Sequence, residues 1–132
     1  MFNRKKQPPI RTLIGEGTVI AGEIQFTEGM RIDGQVNGDV TAVGDDSSIL
    51  VISENARVTG KVKAGHVIIS GQVMGPVHSV ELLELQPKAR VVGNISYGVL
   101  EMHQGASIDG EVHPIKAEAA PVLKLAAAAG DA

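Results

Sequence analysis

The sequence predicts an all-β fold, a parallel β-helix of about six short coils, and three observations carry that expectation. A short pattern, small-x-aliphatic-x-Gly-x-aliphatic, recurs along the chain. Its glycines return at the spacing of a solenoid, and within each copy apolar and polar residues alternate.

The clearest copy is Ala56-Arg57-Val58-Thr59-Gly60-Lys61-Val62. It returns as Thr18 to Ile24, Ala89 to Ile95 and Ala106 to Val112. Looser copies begin with a bulky residue at Met30 and at Val67, and each runs on into another step, through Gly38 to Val40 and through Gly75 to Val77. The glycines form an uneven ladder, Gly22, Gly38, Gly60, Gly75, Gly93 and Gly110, whose longest step runs from Gly38 to Gly60 and whose shortest runs from Gly60 to Gly75. Longer matches agree: Leu83-Glu84-Leu85 returns one turn later as Leu100-Glu101-Met102, and Leu50-Val51-Ile52 stands two turns before the first of them. Such periods belong to solenoids, in which a coil buries its apolar face only by stacking on its neighbours. Within a copy, Ala56, Val58, Gly60, Val62 and Ala64 alternate with Arg57, Thr59, Lys61 and Lys63, the pattern of a strand with one dry and one wet face. Glycine in the dry register marks a corner with no room for a side chain, so each coil is expected to hold three short strands and three corners.

Taken in order, residues 1–11 form a leader of different character. Arg4, Lys5, Lys6 and Arg11 stand there without an acid, whereas the rest of the chain carries 8 basic and 15 acidic side chains. Pro8-Pro9 keeps this leader out of a sheet ladder and sets a boundary before the first coil. No long apolar run follows the basic cluster, so neither a cleaved signal peptide nor a spanning helix is expected. The pattern also suits a peripheral membrane foot, with Met1 and Phe2 entering the interface and Arg4, Lys5 and Lys6 meeting anionic lipid. A solvated leader is the plainer alternative.

Residues 12–115 are expected to be the β-helix. Ile20, Gly22, Ile24 and Phe26 share one register, and Met30, Ile32, Gly34, Val36, Gly38 and Val40 the next. Residues 43–48, Val-Gly-Asp-Asp-Ser-Ser, read as a corner insertion that accounts for the long step from Gly38 to Gly60, with Asp45 and Asp46 as turn residues rather than metal ligands. Residues 116–132, with Pro121 and the alanines from Ala126 to Ala129, are expected to be a flexible tail.

Composition narrows the function classes. The absence of cysteine removes a disulfide framework and a thiolate metal site. Three aromatic residues, Phe2, Phe26 and Tyr97, offer little for base stacking, and an acidic body disfavours nucleic acid as a partner. His66, His78, His103 and His113 show no His-x-His or i, i+4 spacing and read as exposed loop histidines, with His66 and His113 beside corners. Gly15-Glu16-Gly17 is not followed by Lys-Ser or Lys-Thr and is no phosphate loop. No catalytic, cofactor-binding or metal-binding residue is assigned.

Physical reasoning points to self-assembly instead. A β-helix has two ends, each exposing unpaired backbone groups and a slice of apolar core, and such edges template pairing unless they are capped. No strong cap is visible in the sequence. The expected contact residues are Leu13, Ile14, Ile20 and Ile24 at one end and Ile108, Val112 and Ile115 at the other.

The short Val-x-Gly-x-Val coils, the Met-Phe start with its basic cluster and the proline-bearing flanks closely resemble the bactofilins, bacterial cytoskeletal proteins. The resemblance covers residues 13 to about 113. It implies a right-handed β-helix that polymerises end to end without nucleotide or other cofactor, into filaments at the inner face of the cytoplasmic membrane. Such filaments scaffold cell-shape and peptidoglycan-modifying factors, and the Met1, Phe2, Arg4, Lys5 and Lys6 stretch matches the membrane-targeting tail of many members. The implied partners are therefore other copies of the chain, anionic lipid, and wall-modifying or membrane proteins. The competing enzyme reading is a left-handed hexapeptide-repeat acyltransferase. Ile14, Ile20, Phe26 and Ile32 keep a hexapeptide phase, but the phase fails at Gly38.

Overall fold

A computed structural model describes residues 9–115. In chain order the strands are β1 (Ile10–Ile14), β2 (Val19–Ala21), β3 (Ile24–Phe26), β4 (Gly29–Ile32) and β5 (Gln35–Asn37). There follow β6 (Val40–Ala42), β7 (Ile49–Ile52), β8 (Arg57–Thr59), β9 (Val62–Ile69) and β10 (Gln72–Met74). The last are β11 (Val77–Leu85), β12 (Arg90–Val92), β13 (Ile95–Met102), β14 (Ser107–Asp109) and β15 (Val112–Pro114).

These strands stack in parallel into a solenoid of six coils. One side is a six-stranded sheet, β2-β5-β8-β10-β12-β14, and its steps reproduce the glycine ladder: Val36 pairs with Val58 across the longest step, and Val58 with Val73 across the shortest. A nine-stranded sheet covers the other two sides. Val62 and Lys63 at the start of β9 continue the column of β6, and His66 to Ile69 at its end continue the column of β7. Three strands per coil therefore holds for the early coils, whereas β9, β11 and β13 run through one corner without a break. Gly65 and Gly98 stand at that corner, where a Cβ on Gly65 would lie 1.9 Å from the Asp46 carbonyl oxygen. Removal of the side chain lets the ladder turn there and remain paired.

The insertion expected at 43–48 lies at the same corner, between β6 and β7. The Asp45 carboxylate accepts from the Ser47 N–H at 3.1 Å and from its hydroxyl at 2.6 Å, a local turn that closes the loop. Two buried serines tie this corner across coils. Gly65 N–H donates to Ser48 Oγ at 2.9 Å, and Ser79 Oγ donates to the Gly65 and Leu82 carbonyls at 3.1 and 2.6 Å.

The repeat glycines form the opposite corner. Gly38, Gly60, Gly75 and Gly93 each donate their N–H to the next coil at 2.8–2.9 Å, to Thr59, Met74, Val92 and Asp109. The approach leaves no room for a side chain: a Cβ on Gly38 would sit 2.1 Å from the Gly22 oxygen, and one on Gly93 2.5 Å from the Gly75 oxygen. Gly93 also holds φ at +143°, which side chains disfavour. The recurrent glycine of the sequence is thus a stacking requirement.

Inward residues line up coil on coil as a narrow aliphatic core. One column is Ile20, Val36, Val58, Val73, Val91 and Ile108, another is Ile24, Val40, Val62, Val77, Ile95 and Val112, and a third is Ile14, Ile32, Ile52, Ile69, Leu85 and Met102. Burying an aliphatic side chain contributes about 1.5–3 kcal/mol, so stability accumulates coil by coil. β1 begins at Ile10, directly after Pro9, so Arg11 belongs to the first coil, where its guanidinium meets Glu28.

Candidate assembly interface

The two ends of the solenoid differ from its middle in one respect: the inward columns stop. Val40, Val62 and Ile95 are wholly buried, yet Val112, the last member of their column, is 42% exposed. Leu85 is wholly buried, and Met102 stacked on it is 46% exposed. At the other end Ile20 and Ile24 are half-buried where Val36 and Val40 are fully buried. Seven of the ten exposed large apolar side chains among the described residues lie in the terminal coils: Ile10, Leu13 and Val19 at one end, Val99, Met102, Val112 and Ile115 at the other. Among the described residues an apolar slice of core is therefore uncovered at each end, at Ile20 and Ile24 and at Met102 and Val112.

The backbone is open there too. β2 and β14 end the six-stranded sheet, and β1, β3 and β15 are the end members of the other. Among the described residues there is no helix to lie across either edge. Each edge offers a row of unpaired donors and acceptors beside uncovered apolar side chains, the combination that templates strand pairing with another molecule.

The residues expected at the ends take distinct places. Ile20, Ile24, Ile108 and Val112 are end members of inward columns. Ile14 is also inward but nearly closed over, at 8% exposed. Leu13 is in the outward register opposite Arg31 and lies on the outer wall. Ile115 follows β15 and is held by its N–H donating to the Tyr97 carbonyl at 2.8 Å. Sequence reasoning missed Leu100 and Met102, which cap the columns of Leu83 and Leu85. A signal was present in the sequence: the Leu83-Glu84-Leu85 pattern returns once more, as Leu100-Glu101-Met102, and then stops repeating. The expected membrane residues Met1, Phe2, Arg4, Lys5 and Lys6 lie outside the described residues, as does the tail 116–132.

The histidines need a correction. His66 and His113 stand within β9 and β15, and His78 within β11, because the strands reach further around the corners than the glycine pattern suggests. His113 Nε2 is 2.9 Å from Glu111 Oε1 at the exposed end. Among the described residues no helix is long and apolar enough to cross a membrane.

Comparison with known proteins identifies the family. Residues 12–113 match the bactofilin family model, described as polymer-forming cytoskeletal. The chain is 31% identical over 111 residues to bactofilin BacO of Myxococcus xanthus (strain DK1622), covering 84% of this chain and 85% of that one. It is 30% identical over 101 residues to bactofilin BacP of the same organism, covering 76% of this chain and 40% of BacP, so it spans well under half of that relative's length. No solved structure matches significantly. A parallel solenoid with two open ends, matched over nearly all its coils by that model, places the chain in the bactofilin family of polymer-forming cytoskeletal proteins.

Proposed function

We propose that the chain polymerises end to end through its two open coils, without nucleotide, and that the resulting filament lies on the inner face of the bacterial cytoplasmic membrane. The observation that carries this reading is the abrupt change where inward columns end, clearest at the C-terminal coil, from complete burial at Ile95 to 42% exposure at Val112. Stacking a second solenoid on that edge continues the column, pairs the free strand edge and repeats, because each added molecule presents the same open end.

Membrane attachment rests on Met1, Phe2, Arg4, Lys5 and Lys6. Each basic residue near an anionic surface contributes about 1 kcal/mol, so a single tail holds weakly. A polymer carrying one tail per subunit holds firmly by avidity. On such a surface the filament would scaffold wall-modifying or membrane proteins and thereby act on cell shape. An acyltransferase role finds no support in the coil steps. Ile20 pairs with Val36, Val36 with Val58 and Val58 with Val73, three unequal steps that a regular hexapeptide turn does not produce.

Pelleting and negative-stain microscopy of the purified chain without nucleotide test the assembly, and flotation with anionic vesicles tests the tail. Filaments in buffer alone, and co-flotation that is lost when residues 1–8 are removed, are expected. A protein that stays small and soluble at every concentration overturns the polymer, and flotation that survives removal of the tail overturns the membrane foot.

A further inference from the structure

On the outer wall of the last coils, stacking gathers groups that are far apart in sequence. Glu84 of β11 lies directly opposite Glu101 of β13 in the ladder, and His103 follows β13 directly. One ligand atom from each of Glu84, Glu101 and His103 lies within 4.8 Å of the other two. From the opposite side His66, in β9, brings its Nε2 to 3.8 Å from Glu84 Oε1, while His103 Nε2 stands 3.8 Å from Glu84 Oε2. A single carboxylate is thus flanked by two imidazoles from coils on either side of its own.

Three features of this cluster lack an explanation within the solenoid alone. Two carboxylates directly opposite on neighbouring strands repel each other. Both imidazole contacts are too long for hydrogen bonds. His66 Nε2 is buried and has no hydrogen-bond partner, which is costly for a polar atom. Glu84 itself is held in place, because Gln86 Nε2 donates to its Oε2 at 2.6 Å.

We propose that Glu84, Glu101, His103 and His66 form a site for a zinc-class divalent transition ion that clips three successive coils together. Imidazole nitrogen with carboxylate oxygen suits such an ion, whereas calcium and magnesium favour all-oxygen shells. Tetrahedral zinc with bonds of about 2.0–2.2 Å sets its donor atoms about 3.4 Å apart, so rotations of the exposed Glu101 and His103 side chains bring the three mutually close donors onto one ion. His66 Nε2, 3.8 Å from Glu84 Oε1, supplies the fourth. The ion neutralises the stacked carboxylates and gives His66 Nε2 its missing partner. It is a structural clip with no chemistry of its own, and its Glu101 and His103 stand on the last coil, at the open C-terminal edge.

Calorimetric titration of the EDTA-stripped full chain with zinc chloride tests this, with cobalt(II) absorption as a second readout. Saturable uptake of one equivalent, tetrahedral cobalt bands and a melting temperature raised by several degrees are expected. Glu84→Gln abolishes uptake, and Glu101→Gln, His103→Ala and His66→Ala each weaken it at least tenfold. Glu111→Gln, which alters the separate His113 pair, leaves it unchanged. Circular dichroism of the metal-free variants establishes that they are folded. Absence of saturable uptake, or uptake in folded protein that survives Glu84→Gln, overturns the site.

Discussion

Val62 and Val112 occupy the same place in the repeat, each just beyond the ladder glycine and each facing the core, yet one is fully buried and the other 42% exposed. The difference owes nothing to local sequence. Val62 has coils on both sides, with Val40 below and Val77 above, and Val112 has only Ile95. In a solenoid burial is conferred by neighbours, so the same residue type is core in the middle and uncovered surface at the end. Middle coils should therefore answer to mutation through folding, and end coils through assembly.

The sharpest way to break this comparison is to place a charge in both positions. Val62→Arg forces an unpaired guanidinium into a closed aliphatic column, at a cost of several kcal/mol, which is a large part of a small domain's stability. We expect little soluble folded protein, measured by circular dichroism and thermal melting, whereas Val112→Arg remains folded. A Val62→Arg protein as stable as the wild type would contradict the assigned register.

A smaller effect distinguishes the ends from the middle through the glycine corner. Gly38→Ala drives a Cβ to 2.1 Å from the Gly22 oxygen, whereas a Cβ on Gly22, at the open end, meets nothing within 4 Å. Gly22→Ala therefore carries only the strain of its backbone, with φ at +132°, at about 1–3 kcal/mol. Gly38→Ala carries that strain and the clash together, and should melt lower than Gly22→Ala in the same buffer. Equal losses would mean that the corner is not held by close stacking.

The smallest effect belongs to the insertion loop, which is exposed and bears on neither region. Hydrogen bonds from the Ser47 hydroxyl and N–H hold the Asp45 carboxyl below the ordinary carboxylate range. A lowered folded-state pKa contributes stability above the unfolded value, near 3.9, and the contribution fades as pH falls through the folded value. Asp45→Ala should flatten the acid limb of the stability curve slightly and leave neutral-pH assembly unchanged. An unchanged acid limb would show that the turn contributes nothing measurable.

Much of the fold is legible in the sequence because the glycine ladder is tied to a steric rule. Where backbone from one coil meets backbone from the next no Cβ fits, so the corner returns in the sequence even though its spacing varies. The second corner is less visible because its occupants differ from coil to coil: Ser48, Gly65, Ser79 and Gly98 share no pattern that a repeat search finds. The open ends are partly legible. Ile20, Ile24, Ile108 and Val112 follow from being the first or last of a ladder, but Leu13 does not, because two residues of the same class, Leu13 and Ile14, face opposite ways in β1. His66, Glu84 and Glu101 come together only because His66 pairs with Leu82 and Glu84 with Glu101, past a bulge between Ser79 and Leu82, so no fixed motif spacing reveals them.

One sedimentation experiment tests end-to-end assembly most directly. Wild type, Val112→Arg and Thr59→Arg, a control on the exposed outer wall of a middle coil, are spun side by side without nucleotide after circular dichroism has shown all three folded. Assembly through the open coils predicts that wild type and Thr59→Arg pellet while Val112→Arg stays in the supernatant. Folded Val112→Arg that pellets like the wild type would contradict it, and would move the polymer contact away from the C-terminal coil.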